Sequence, residues 1–502
     1  MKRKVRYSLL CILLLFSSVT TGYAQRGYTM NFLSLVPQQS KFNPAYYTRY
    51  GVYVGIPMVS NVQFQVFNDA FTINRTFIQR LDTKLIDPVG IISGLSIENN
   101  IGLEFNMDFL SFGFKVREHN QFHVGFGREG YFNALLTKST LSLLLTGSGN
   151  FLGERGTNAL SGNSFDMSIY DALSLGYSRE VNERLSVGGR LKFLSGIANL
   201  YTVRSNVELF IDDGHDPNIV PYTRFIKPDI ALNGSFSNLP RDSSLLYVMR
   251  NFQSVALESL LTAPNPTFNN FGIGIDLGAV YQVSEYVTLA ASVHDIGFIN
   301  WNTGVQRISS QQRENPFVFS GVGQFSDIIN DIDGLIIQDI FTALVDSLID
   351  YFQLQEVDTT LTSYRSSLRT SYNLSFFYNV TDNDQIGVMW NSKLGRRKYN
   401  ALTIAYTRSL GRGFQICINN AIINNNAFNF GGGFVFNVGA LQLYAVVDKI
   451  SSFNVVDWRA ANVQFGINLG LNRTEKDPNK RRLVRDFTPR DRTGYVNDRW
   501  AW

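Results

Sequence analysis

Residues 271–301, FGIGIDLGAVYQVSEYVTLAASVHDIGFINW, alternate with such regularity that they specify a two-faced β-ribbon. Phe271, Ile273, Ile275, Leu277, Ala279, Tyr281 and Val283 are apolar, and Gly272, Gly274, Asp276, Gly278 and Gln282 between them are small or polar. A strand sends successive side chains to opposite faces, so one face is greasy and the other wet. Val287, Leu289, Ala291 and Val293 repeat the pattern after a charged turn.

The pattern recurs along the chain, and hairpin pairing tests it, because paired residues must share a face. For the opening ribbon this sets Val283 opposite Val287, Tyr281 opposite Leu289 and Leu277 opposite Val293. Leu173, Leu175 and Tyr177 fall against Phe193, Leu191 and Gly189. Phe376, Tyr378 and Val380 fall against Trp390, Val388 and Ile386, and Phe112, Phe114 and Val116 against Phe126, Val124 and Phe122. Gly411-Arg412-Gly413 is a three-residue loop that sets Leu410 against Phe414, and Gly439-Ala440 is a two-residue turn that sets Val438 against Leu441. Six hairpins, a leading strand at 51–67 and a last strand at 463–471 make about fourteen strands, an even number with both ends on one side. Parity switches near Phe109–Leu110, which predicts a bulge, and the alternating stretch 200–211 extends a strand.

Short turns alternate with other connections, several of them long: 68–100, 129–171, 196–270 and 298–370. That is the topology of a transmembrane antiparallel up-and-down β-barrel with short periplasmic turns and long extracellular loops. A secreted sandwich or propeller would also alternate, but it gives no reason for every second connection to grow. A closed barrel also leaves no sheet edge in lipid.

The N-terminus agrees with that location. Residues 1–24 have a basic start, an apolar run from Leu9 to Phe16 and small residues at Gly22 and Ala24, which reads as a cleavable signal peptide. Cys11 lies inside it, so the mature chain keeps Cys417 alone, without an internal disulfide or a Cys-ligated metal. No later stretch holds the roughly 18 apolar residues of a membrane helix. Charged residues make up 17% of the chain, and the net charge of +4 is too small to argue for nucleic acid. The expected organisation is a signal peptide at 1–24, an N-terminal plug segment at 25–50, the barrel at 51–471 and a basic periplasmic tail at 472–502.

Lys41-Phe42-Asn43-Pro44-Ala45 stands just before the first strand. A short Asn-Pro-Ala element ahead of a barrel of this size resembles the FadL-like outer-membrane superfamily. It also resembles its Bacteroidota relatives, the PorV, PorQ and PorP/SprF-like proteins tied to type IX secretion and gliding. The ribbon ending His294-Asp295-Ile296-Gly297-Phe298-Ile299-Asn300-Trp301 looks like an uncharacterised branch of that group. The resemblance implies that Gln25–Arg49 plugs the lumen, with Asn43, Pro44 and Ala45 at its turn, and that small apolar molecules pass through or leave sideways. Independently, the other face of the ribbon, with Gly272, Gly274, Asp276 and Gly278, makes a lumen wall of nearly bare backbone. Such a wall lets another segment approach closely, although glycine there also relieves barrel strain.

Enzymatic signals are poor, and no cofactor or metal is expected. His119 and His123 sit at and just beyond a turn, where exposed roles are expected. His294 and Asp295 sit at a strand's outer end on opposite faces, which makes no acid–base pair. Asp212-Asp213-Gly214-His215-Asp216 has oxygens enough for calcium, but a solvated acidic turn explains it more simply. Ser326–Phe352 carries a helical stripe that includes Ile332, Leu335, Ile336 and Leu344, opposite an acidic face. It reads as an extracellular amphipathic helix, either a lid on the barrel mouth or a docking surface for a secreted or envelope protein. The basic tail after Leu471 lacks any period. Two functions follow: capture or passage of a small hydrophobic molecule, or a docking barrel for an envelope machine such as type IX secretion or gliding.

Overall fold

In a computed structural model the structure describes residues 27–68, 77–80, 83–86, 88–117, 119–146, 160–211, 224–237, 269–311, 352–357, 361–394, 399–411, 413–423, 428–450 and 460–473, with residues 70, 246, 247 and 349. Fourteen antiparallel strands close on themselves. β1 has two pieces, Tyr50–Gly55 and Val62–Asn68, followed by β2 (Glu98–Val116), β3 (Asn120–Thr137), β4 (Ser164–Glu180) and β5 (Leu185–Ile211). Next come β6 (Phe271–Gln282), β7 (Val287–Trp301), β8 (Ser371–Asn379), β9 (Asp384–Lys393) and β10 (Tyr399–Leu410). β11 (Phe414–Ile423), β12 (Phe430–Val438), β13 (Leu441–Ile450) and β14 (Ala460–Arg473) complete the wall. Both pieces of β1 pair with β14 on one side and β2 on the other, so the sheet has no seam.

The predicted registers hold where turn chemistry or a long apolar run fixes them. Leu277 pairs with Val293, Leu173 with Phe193, Leu410 with Phe414 and Val438 with Leu441. Two hairpins differ from expectation by two residues: Phe376 pairs with Val388 and Phe112 with Val124. Their turns are tighter than expected, which slides the strands while leaving every side chain on its face. The bulge falls at Phe109, and β1 breaks beside it, where Met58 takes a positive φ of 65° and its N–H donates to the Asp108 carbonyl.

The outward face is apolar. Leu277, Ile404 and Ile418 are 52%, 50% and 59% exposed, far more than core residues, because their environment is lipid. Tyr177, Tyr281, Tyr286, Tyr378 and Tyr406 ring the short-turn end, as interfacial aromatics do.

At the long-loop end the strands run further than the sequence led us to expect. β3 extends to Thr137 and β4 begins at Ser164, so much of 129–171 is wall rather than loop. β5 continues to Ile211 and pairs with Arg224–Phe236, which pairs in turn with Val305–Ser310, and that with Leu354–Glu356. This raised sheet and the helix α2 (Lys138–Thr146) enclose an apolar core of Phe105, Phe132, Ile169, Leu200, Leu232 and Leu143. The hairpin Phe77–Arg80/Thr83–Ile86 and the short helix α1 (Pro88–Ser93) lie in the β1–β2 connection.

Candidate functional site

The lumen is occupied by the chain's own N-terminal segment. Between residues 27 and 49 nearly every side chain is buried, through two short 3-10 helices at Thr29–Phe32 and Pro37–Lys41. Tyr28, Met30, Phe32, Leu33, Leu35, Val36, Phe42 and Tyr46 pack on inward residues of β6–β13, where the wall is small: Ala290, Ala401, Ala405, Cys417, Ala421 and Val446. A small residue on the wall makes room for a large one on the segment. The Phe377 ring meets Phe32 and Tyr46 edge-on, at 5.9 and 6.4 Å. Burial pushes the Tyr46 phenol well above its usual range, so it stays a neutral donor to Asn31.

Asn43, Pro44 and Ala45 lie against the glycine face. A Cβ on Gly278 would fall on the Asn43 side chain, and one on Gly188 of β5 would fall on the Pro44 carbonyl. Asn43 Nδ2 donates to the carbonyls of Ala279 and Ala291, paired residues of β6 and β7, at 3.2 and 3.1 Å. Its Oδ1 accepts from the Ala45 N–H at 2.9 Å, which closes the turn. Gly274 faces Leu368 of the β7–β8 connection instead, and Gly272 faces Ile299 within the sheet. Asp276 is fully buried and pairs with Lys192 at 3.0 Å.

A segment without ladder partners must find donors elsewhere for its carbonyls. Phe42 O accepts from Ser292 Oγ, His294 Nε2 and Asn373 Nδ2, at 2.7, 2.7 and 3.3 Å. Gln442 serves Leu35 O, Ser178 serves Pro44 O and Arg190 serves Ser40 O. At the segment's start, the buried Asp448 carboxylate accepts from Thr29 N–H at 3.2 Å, Thr29 Oγ1 at 2.5 Å and Asn419 Nδ2 at 3.2 Å.

The other side of the lumen is wet. The inward residues of β3 and β4 include Gly125, Gly127, Ala172 and Ser174, too small to reach the segment, and a cavity remains there. Lys41, Asp108, His123, Arg190 and Lys192 line it. A second cavity stands on its loop side, lined by Glu104, Tyr131, Tyr170, Leu368, Arg369 and Lys393. Gln63, Asn106 and Glu129 line both, so the two are contiguous. One flank of the upper space is apolar, since Tyr170 and Leu368 pack with Leu194, Ile299 and Trp301.

Two expectations about histidines need correction. His123 is not exposed: it points into the lumen, 3.0 Å from Tyr53 Oη, because its neighbours Phe122 and Val124 take the outer face. His294 and Asp295 are not at a strand end on opposite faces. They lie within β7 at a bulge where Asp295 has a φ of 58°, and both are buried. Lys192 Nζ donates to Asp295 at 2.6 Å, and His294 Nδ1 stands 3.6 Å from Asp276. His119 is exposed, beside Glu180. Among the described residues no group of three His, Cys, Asp or Glu side chains is placed to hold a metal ion. The expected signal peptide, Asp212–Asp216, the stripe residues Ile332, Leu335, Ile336 and Leu344, and the basic tail beyond residue 473 lie outside the described residues.

Sequence reasoning missed the small inward residues of β10 and β11, though their alternation was readable. It also missed the Lys41–Asp108 and Arg369–Glu104 pairs, which join parts of the chain too distant for any spacing to reveal.

No curated protein matches the sequence. Among solved structures, the toluene transporter TbuX of Ralstonia pickettii is 9% identical with a TM-score of 0.42, over 89% of this chain and 99% of that one. A FadL homologue of Pseudomonas aeruginosa is 10% identical with a TM-score of 0.41, over 90% and 100%. The toluene transporter TodX of Pseudomonas putida is 8% identical with a TM-score of 0.40, over 89% and 98%. Likeness this distant leaves wall and lumen to be read from this chain's own residues. Residues 44–448 match the family of unknown function DUF5723, and the chain belongs to that family.

Proposed function

We propose that the chain is an outer-membrane barrel, not an enzyme, that captures or passes a small molecule with a hydrophobic body, and that residues 27–49 act as its plug. The short turns then face the periplasm and the raised sheet faces outward. The observation that carries this reading is a lipid-faced barrel whose lumen is filled on one side and hollow on the other. The hollow pairs an apolar flank of Phe105, Tyr170 and Leu368, the last two backed by the buried Leu194, Ile299 and Trp301, with a polar one of Glu104, Arg369 and Lys393. A cargo with an apolar body and a polar end suits it better than a bare hydrocarbon, because those charged groups give up water to a ligand only when it offers partners.

The test is purification in mild detergent followed by extraction and mass spectrometry of what stays bound. A lipid-like amphiphile in near-stoichiometric amount supports the reading. A protein that is soluble without detergent and shows no heat-dependent gel shift overturns it.

A second reading, a docking barrel for an envelope machine such as the one for type IX secretion, draws on the raised sheet at 198–211, 224–236, 305–310 and 354–356, which extends the wall beyond the hairpins. A stoichiometric protein partner in the same preparation, with no small ligand, would favour it.

A further inference from the structure

The two sides of the lumen hold the N-terminal segment in different ways. Against β6–β13 it is glued by apolar packing and by the donors on Phe42 O and Leu35 O. Against β2–β4 it is held by polar contacts: the ion pair from Lys41 Nζ to Asp108 Oδ1 at 2.5 Å, with Asn106 Oδ1 at 3.1 Å, and hydrogen bonds from Thr48 N–H to Gln121 Oε1 at 3.1 Å and from Ser178 Oγ to Pro44 O at 2.6 Å. Above that pair the contiguous cavities rise to a second charged crossing. There Arg369, just ahead of β8, reaches over the Tyr131 ring to Glu104 at 2.7 Å and Asp166 at 3.5 Å, with Lys393 at 3.4 Å from Glu104. Below it, Tyr53, His123 and Gln121 form a hydrogen-bonded floor.

We propose that the wet side is a route for small charged or polar solutes past a plug that stays seated, with the Arg369–Glu104 crossing as its outer gate and the Lys41–Asp108 pair as its inner one. Moving the whole segment would break the apolar packing and strip several carbonyls of their donors. Opening the wet side leaves that packing in place and requires that two ion pairs part, Lys41–Asp108 and Arg369–Glu104, both largely shielded from solvent, together with the hydrogen bonds of the floor. Asp108 Oδ2 is buried at the inner gate without a hydrogen-bond partner among the described residues, the kind of acceptor that water or a passing cation satisfies. Both gates carry carboxylates and cations, so removing one sign should leave the other to select ions.

This inference rests on the plugged-barrel reading above but not on its cargo, and its test keeps the two apart. Asn43→Cys with Gly278→Cys, in a Cys417→Ala background, crosslinks the segment to β6 at a place where the two already touch. Arg369→Ala and Lys41→Ala open the gates. Conductance of potassium chloride is measured in planar bilayers, oxidised and reduced, with a heat-dependent gel shift verifying each barrel. The expected result is a severalfold rise in conductance in the gate variant, unchanged by oxidation, with cation preference from the remaining Asp108 and Glu104. Replacing Asp108 by Asn with Lys41 intact should move the reversal potential toward anions. Conductance that appears only after reduction, or only after deletion of residues 27–49, overturns the seated-plug route. If the deletion variant also fails to conduct, the plugged-barrel reading falls first.

Discussion

The Asn43 side chain occupies the space where a Cβ on Gly278 would stand, and it spends both its amide hydrogens on the facing carbonyls of Ala279 and Ala291. The glycine of the wall and the asparagine of the plug are therefore one joint. Gly278→Ala should cost about 1–3 kcal/mol by overpacking, and Gly278→Val more, read as a lowered midpoint of thermal unfolding in detergent. Asn43→Gly added to Gly278→Ala should recover part of the loss. An alanine at 278 that changes nothing would mean the segment does not sit there.

Asp448 anchors the segment's first turn. Asp448→Ala leaves the Thr29 N–H and hydroxyl without their acceptor and the Asn419 amide with Thr29 Oγ1 alone, at about 1–3 kcal/mol for buried groups so stranded. Faster hydrogen exchange at residues 29–32, with the wall amides unchanged, is the expected readout.

The two faces of β10 should answer oppositely to polarity. Ile404 faces lipid, and Ile404→Arg should cost roughly 2–4 kcal/mol near the midplane and reduce the heat-modifiable, membrane-assembled fraction. Thr403, its inward neighbour, is fully buried with a hydroxyl that finds no partner among the described residues. Thr403→Val should be neutral or stabilising by the same assay, since it removes an orphan at constant shape.

Cys417 is 1% exposed, packed in the cluster that holds the segment. It should resist a polar maleimide in the intact protein and react readily once residues 27–49 are deleted. Equal labelling of both proteins would argue that the segment does not cover it.

Alternation alone made the barrel, its strand number and four of the hairpin registers legible, because one face meets lipid and the other does not. It could not fix the other two hairpins: Val380 and Val116 are as apolar as the residues inside them, and a slide of two residues preserves every face. His123 was legible in principle, since flanking it with outward Phe122 and Val124 turns it inward. His294 and Asp295 were not, because the bulge opposite Asp276 and the left-handed turn at Asp295 break the period where the charges gather. The wet cavity is a product of what is missing from side chains, at Gly125, Gly127 and Ala172, facing a segment about a hundred residues away or more in sequence. No local pattern reports such a vacancy of volume.

The hydrogen bonds from Thr29 to Asp448 and from Gln38 to Asn468 join residues 419 and 430 positions apart. Part of the segment's resting place is therefore made by β13 and β14, the last strands of the wall in sequence. Residues 27–49 thus find all their partners only once the final strands have met the first. Their docking is complete only in a finished barrel: a wall that stalls one hairpin short lacks Asp448 and Asn468, and leaves Thr29 and Gln38 without those partners.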